Sequence, residues 1–211
     1  MLWIAIAAQV SAPMPTNLPR WFGYDDLPAY MIEREPGHWL VGVRITVGPD
    51  GTVHGCDVES GSGTERLDDF TCRKIRQRAE FVPAREADGS LALGVYRTSI
   101  SWAVADSPFD SRNVSIPDVD VSVANLPAGL RSPALVRVMF AVDAQGKISS
   151  CAAEPAKSFE LVSNSPELVP VACSQLEKIY KPVPARDPAG AAIPSVQDAI
   201  VRFSVASQAA R

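Results

Sequence analysis

The sequence predicts an α+β protein built from two tandem small domains, each a three-stranded antiparallel sheet with one packed helix in the order β-β-α-β. Three observations lead there. The 211-residue chain repeats itself: VGVRITVGPDGTVHGCDVESGSG from Val41 is answered by LVRVMFAVDAQGKISSCAAE from Leu135, with Gly51 in step with Gly146 and Cys56 with Cys151. Apolar and polar residues alternate on either side of each turn glycine, which is the period of a half-buried strand. Between the second and third alternating segments of each copy lies one stretch with helical apolar spacing. A repeat of this length is a domain used twice, not a short solenoid unit.

The elements follow in chain order. Leu2 to Ala8 is a short apolar run, and Val10-Ser11-Ala12 has the small-residue pattern of a cleavage site, so residues 1–12 read as a signal peptide cut after Ala12. So short a run cannot cross a hydrocarbon layer that needs about twenty residues, and no permanent transmembrane anchor is expected from it. Residues 13–38 form a lead-in with five prolines among Trp21, Phe22, Tyr24 and Tyr30, whose rings are expected to pack on the first domain.

The first domain is expected at 39–105. Val41, Val43, Ile45 and Val47 share one face of a strand, and Gly42, Arg44 and Thr46 the other. Pro49-Asp50-Gly51 is a turn because proline presets φ and glycine accepts φ > 0, so Thr52 to Glu59 returns antiparallel. Ser60-Gly61-Ser62-Gly63 breaks the sheet. Ser62 and Glu65 have capping-box spacing ahead of a helix from Leu67 to Arg78, with Cys72, Ile75 and Ala79 on one face. Tyr96, Thr98, Ile100, Trp102 and Val104 then alternate as a third strand. Residues 106–117 read as a linker.

The second domain, 118–206, repeats the frame with Val136, Val138, Phe140 and Val142, then Ile148 to Ala153, a helix over Val171 to Tyr180 presenting Cys173, Leu176 and Tyr180, and a last strand over Val196 to Val205. An insertion shifts the later matches, so that Cys72 pairs with Cys173, Pro83-Ala84-Arg85 with Pro184-Ala185-Arg186, and Trp102 with Phe203. Trp102 and Phe203 are expected in the cores.

Two cysteines fall in each copy, with no CxxC motif, which favours the disulfides Cys56 to Cys72 and Cys151 to Cys173. Closing a loop of about fifteen residues is worth roughly 3 kcal/mol in the chain-entropy account, a large share of a small domain's stability. Such bridges persist in an oxidising compartment.

Other chemistry is argued against. A net charge of −4 and a pI near 5.2 give no electrostatic reason to expect nucleic acid or an anionic membrane as partner. His54 stands two before Cys56, but zinc wants four ligands, and Ser149 occupies the equivalent place in the second copy, so no metal and no cofactor are expected. Asp50, Asp57, Glu59 and Asp68 lie near turns and caps. Arg73, Lys74, Arg76 and Arg78 make the first helix basic, either as a solvated outer face or as a dock for an acidic partner. No GxSxG, HExxH, P-loop or Cys-His pairing is present, and no enzyme is expected.

The hairpin with its Pro-Asp-Gly turn, Cys56, Ser60 to Gly63, Leu67-Asp68, Phe81-Val82-Pro83-Ala84-Arg85 and Asp88-Gly89 before a closing strand together resemble the TonB carboxy-terminal domain. The second copy resembles it more weakly, through Asp143-Ala144-Gln145-Gly146, Cys151, Tyr180-Lys181-Pro182-Val183-Pro184-Ala185 and Val201-Arg202-Phe203, with a proline-bearing insertion around Ser163 to Pro170. The likeness covers Trp39 to Val104 and Ala134 to Val205.

This resemblance implies a periplasmic module that grips a peptide segment of an outer-membrane receptor as an added strand of its sheet. Carried onto this chain, the peptide-binding edge would be Val95, Tyr96, Arg97, Thr98, Ser99, Ile100, Ser101 and Trp102, with Val196 to Val205 equivalent. It also implies a link to TonB-dependent transport. Energy transduction is not expected, because the transducers' membrane helix and long proline-rich rod are not read here. An alternative stays open: a structural or regulatory envelope protein whose sheet edges pair internally and whose recognition surface lies elsewhere, for instance on the basic helix.

Overall fold

The computed structural model describes residues 10–32, 37–103, 117–154, 165–187 and 189–206. Val104 and nearly all of the expected 106–117 linker lie outside them, as do residues 1–9 of the expected signal peptide, the first residues of the 163–170 insertion and the Tyr24 side chain. The described residues divide into two units, one made of 13–84 and 93–103, the other of 10–12, 85–92 and 117–206.

In the first unit the central strand is β1 (His38–Val47), where Val41, Val43, Ile45 and Val47 are all buried. Gly51 reverses the chain at φ +81° into β2 (Val53–Ser60), which pairs antiparallel with β1 and sets Cys56 opposite Ile45. After α1 (Glu65–Arg78), β3 (Gly94–Ala103) pairs antiparallel along the other side of β1, from Val47↔Gly94 to His38↔Ala103. The order is therefore β2-β1-β3. Leu67, Thr71, Cys72 and Ile75 form the buried stripe of α1, spaced as one face of a helix.

The expected capping box does not form. α1 begins at Glu65 with Thr64 at its N-cap and no side-chain cap. Instead Asp68 Oδ1 accepts the Ser62 N–H at 2.9 Å, and Ser62 Oγ accepts the Thr64 N–H at 3.2 Å. The cause is the pair of flanking glycines. A Cβ on Gly61 would sit 2.7 Å from Asp68 Oδ2, and Gly63 takes φ +83°, so the loop folds close over the first turn.

The lead-in is part of this core. Trp21 is 1% exposed and packs on Phe81 and Tyr96, with ring centroids at 5.5 and 6.3 Å. Phe22 meets Trp102 edge-on at 4.9 Å, Tyr30 packs on the same cluster, and Met14–Pro15 pairs with Phe81–Val82. Loss of a buried indole costs about 3–5 kcal/mol, so the segment belongs to the fold.

The second unit holds β4 (Val119–Val123), β5 (Ala134–Val142), β6 (Ile148–Ala153), α2 (Val169–Ile179) and β7 (Ser195–Val205). β5 pairs antiparallel with both β6 and β7. β4 runs parallel to β7, from Val119↔Val201 to Val123↔Val205, so the unit is not the purely antiparallel three-stranded sheet expected. Val119, Val121 and Val123 carry the strand signal, overlooked because the stretch follows the presumed linker. α2 starts two residues earlier than expected: Pro170, assigned to the insertion, sits in its first turn, where a missing N–H costs nothing. Ala172 and Leu176 are buried, with Cys173 and Tyr180 packed alongside. Val10 is 2% exposed in this unit, and Ser11 exchanges two backbone hydrogen bonds with Arg85, at 3.0 and 2.9 Å.

Candidate functional site

The candidate strand Val95 to Trp102 lies within β3 and splits by face. Tyr96, Ile100 and Trp102 pack on the core, whereas Arg97, Ser99 and Ser101 are exposed. Trp102 is fixed rather than offered. Its Nε1–H donates to Thr71 Oγ1 at 3.0 Å, Thr71 Oγ1 donates in turn to the Leu67 carbonyl at 2.8 Å, and Phe70 packs edge-on at 5.7 Å. Its counterpart Phe203 is fully buried. The exposed side chains of this strand are thus those of its polar face.

That polar face carries an ion network the sequence reading did not assemble. Arg44 of β1 and Arg97 of β3 stand directly opposite each other, an arrangement that repels unless neutralised. Glu59 of β2 lies between them, 3.1 Å from Arg97 Nε and 3.9 Å from Arg44 Nη1. His38 Nε2 and Ser101 Oγ are 2.6 Å apart at the far end of the same face. Glu59 had been explained by the neighbouring turn, since strand register is invisible in a linear reading.

Cys56 on β2 is bonded to Cys72 on α1 with Cα atoms 5.5 Å apart, and Cys151 on β6 to Cys173 on α2 with Cα atoms 5.7 Å apart. Both spacings lie inside the usual range of about 4.4–6.8 Å. Each bridge ties the second strand of a hairpin to the helix that follows it.

Two cations of the basic helix are held by the lead-in, while Arg73 and Arg76 are exposed. Lys74 Nζ lies 2.5 Å from Asp26 Oδ1, and Arg78 grips the same carboxylate through both of its terminal nitrogens. The Gly23 N–H adds a fourth donor at 2.7 Å. Hydrogen bonds from Arg78 and then Lys74 hold the Asp26 carboxyl far below the usual carboxylate range, against a smaller opposing effect of burial. Arg76 Nη2 donates to the Cys56 carbonyl at 2.6 Å. Arg73 stacks over Phe70 at 5.3 Å, and Arg66 over Tyr30 at 4.1 Å. The lead-in thus supplies the acid for two of the helix's cations.

Asp50 and His54 have local partners. Asp50 accepts from the Thr52 N–H and hydroxyl at 3.1 and 2.8 Å, an Asx turn that lowers its pKa, and His54 Nε2 is 3.6 Å from the same carboxylate. Among the described residues no group of three or more His, Cys, Asp or Glu is placed to hold a metal ion, and no helix is long and apolar enough to cross a membrane.

With this geometry in view, residues 37–102 match the family described as Gram-negative bacterial TonB protein C-terminal. That span runs from the start of β1 through β2 and α1 to Trp102 of β3. The chain matches no curated protein and no solved structure at a significant level. The family is one of protein-interaction domains of the cell envelope, and residues 37–102 are similar to its domain.

Proposed function

We propose that the chain is an exported interaction module of the cell envelope, periplasmic once residues 1–12 are removed, that binds a peptide or protein partner by strand addition. The partner class is a segment of an outer-membrane receptor, which links the module to TonB-dependent transport without making it an energy transducer. Nothing in this reading requires an enzyme or a cofactor. The observation that carries it is the family match over 37–102, which ends on the strand through which that family takes up peptides. β3 suits the task because ten paired residues and three core-anchored side chains hold its backbone in one conformation, so little ordering is needed on binding.

The second unit is proposed as a divergent second copy. In support, β5, β6, α2 and β7 follow in the same order as β1, β2, α1 and β3, and Gly146 repeats the positive φ of Gly51, at +80°. The Cys151–Cys173 bridge repeats the strand-to-helix bridge of the first unit.

Amide hydrogen exchange tests the reading. Strand addition expects the amides of residues 95–102 that do not bond to β1 to exchange fast in the free protein and slowly when a receptor peptide is added. If those amides are already protected without peptide, the sheet edge is satisfied internally, and the structural or regulatory alternative replaces this one.

A further inference from the structure

We propose that the cleft between the lead-in and the first half of α1 is a separate recognition site for an acidic peptide segment, held by a pair of ring-stacked arginines. The cleft has a volume of about 650 Å³ and is lined by Pro28, Ala29, Tyr30, Arg66, Asp69, Phe70 and Arg73. Arg66 and Arg73 are seven residues apart on one helix, roughly 10 Å along its axis, so they stand at the two ends of the cleft. Each guanidinium lies over an aromatic ring, Arg66 at 4.1 Å from the Tyr30 centroid and Arg73 at 5.3 Å from that of Phe70. Neither forms a hydrogen bond or an ion pair with a described residue.

Stacking occupies the face of a guanidinium and leaves its N–H edge, the part that fits a carboxylate with two parallel hydrogen bonds. The cations further along α1 show what this helix accepts, since Lys74 and Arg78 already hold Asp26 of the same chain. Asp69 lies between the two arginines and cuts the local charge to a single excess cation, which disfavours a compact, highly charged anion. An extended segment with spaced carboxylates fits better. Tyr30 Oη adds an independent sign: it is closed to solvent and has no hydrogen-bond partner, a state that is costly for a buried hydroxyl. An acceptor entering as Arg66 swings onto a carboxylate would satisfy it. This site uses no atom of β3, so it stands or falls apart from strand addition.

The test is binding of a fluorescent peptide with glutamates at alternate positions, measured by anisotropy against its glutamine counterpart. Saturable binding of the glutamate peptide is expected, weakened at least tenfold in the Arg66→Ala/Arg73→Ala double variant. Arg66→Lys/Arg73→Lys, which keeps charge and loses the planar fork, is expected to weaken it several-fold, whereas Arg131→Gln leaves it unchanged. In the unaltered protein the peptide should shield Arg66 and Arg73, and not Arg131, from an arginine-selective reagent read by mass spectrometry. Equal binding by the lysine variant and the parent, or equal loss in Arg131→Gln, would show non-specific attraction and overturn the proposal. Displacement of the peptide by millimolar inorganic phosphate would overturn it in favour of a phosphate site.

Discussion

Gly51 shows how much a single hydrogen can decide. Its φ of +81° is costly for any residue with a side chain, and a Cβ there would lie 2.3 Å from the Phe81 carbonyl oxygen. The Phe81 N–H also donates to the Gly51 carbonyl at 3.1 Å, so the turn is locked to the chain that leaves α1. At Gly146 the matching Cβ would lie 3.4 Å from the Pro182 oxygen, an ordinary contact. Gly51→Ala is therefore expected to cost about 3 kcal/mol, and Gly146→Ala about 1–2 kcal/mol. Urea unfolding of both variants checks this, and equal losses would contradict it. The turn glycines were legible in the sequence. Their unequal importance was not, because it depends on what passes behind each turn.

Asp26 supports a prediction about acid. Its pKa in the folded protein lies well below its ordinary value of 3.8, so its contribution is complete above that value and disappears as pH falls toward the folded one. Asp26→Asn should lower stability at neutral pH by about 1.5–2 kcal/mol, the modest figure reflecting charge-assisted hydrogen bonds made to a partly solvated Arg78. The gap between variant and parent should close as pH drops below about 4, because there the unfolded parent binds a proton on Asp26 that the folded parent does not, whereas the asparagine never titrates. A gap that stays constant in thermal melts from neutral pH to acid would rule out this role. In the sequence, Asp26 was one acid of an Asp-Asp pair with no visible partner. Its cations lie some fifty residues on, and only the folded lead-in brings them together.

Among the elements, those set by local pattern were read well and those set by distant partners were not. β1 shows its alternation in Val41, Val43, Ile45 and Val47, and the buried stripe of α1 contains the Cys72 and Ile75 expected of it. The start of α1 was misplaced because Gly61 and Gly63 allow Asp68 to do a cap's work from inside the helix. β4 was missed because its five residues become a strand only beside β7. The Cys56–Cys72 bridge joins β2 to α1 across sixteen residues. Cys72→Ser is expected to destabilise the unit by roughly 2–5 kcal/mol. Melting curves with and without reductant test this: the parent should shift down to meet the variant, and coincident curves for parent and variant in both conditions would refute it.

At the scale of the molecule, the described residues hold two apolar clusters, one around Trp21, Ile45 and Ile75 and the other around Phe140, Leu176 and Phe203. The candidate strand was legible as a strand, and its polar face as polar. The arginine-lined cleft was not, because half of it comes from a lead-in whose path no periodicity reveals. Val10 and Ser11 add something to this larger picture. They were read as part of a disposable address, yet Val10 is 2% exposed and Ser11 is laced to Arg85 at both its amide and its carbonyl. Maturation at Ala12 would remove masonry along with the shipping label and leave a new charged amine on Pro13. The cut and uncut forms of one polypeptide would then differ in robustness, and a thermometer would tell which of them a cell contains.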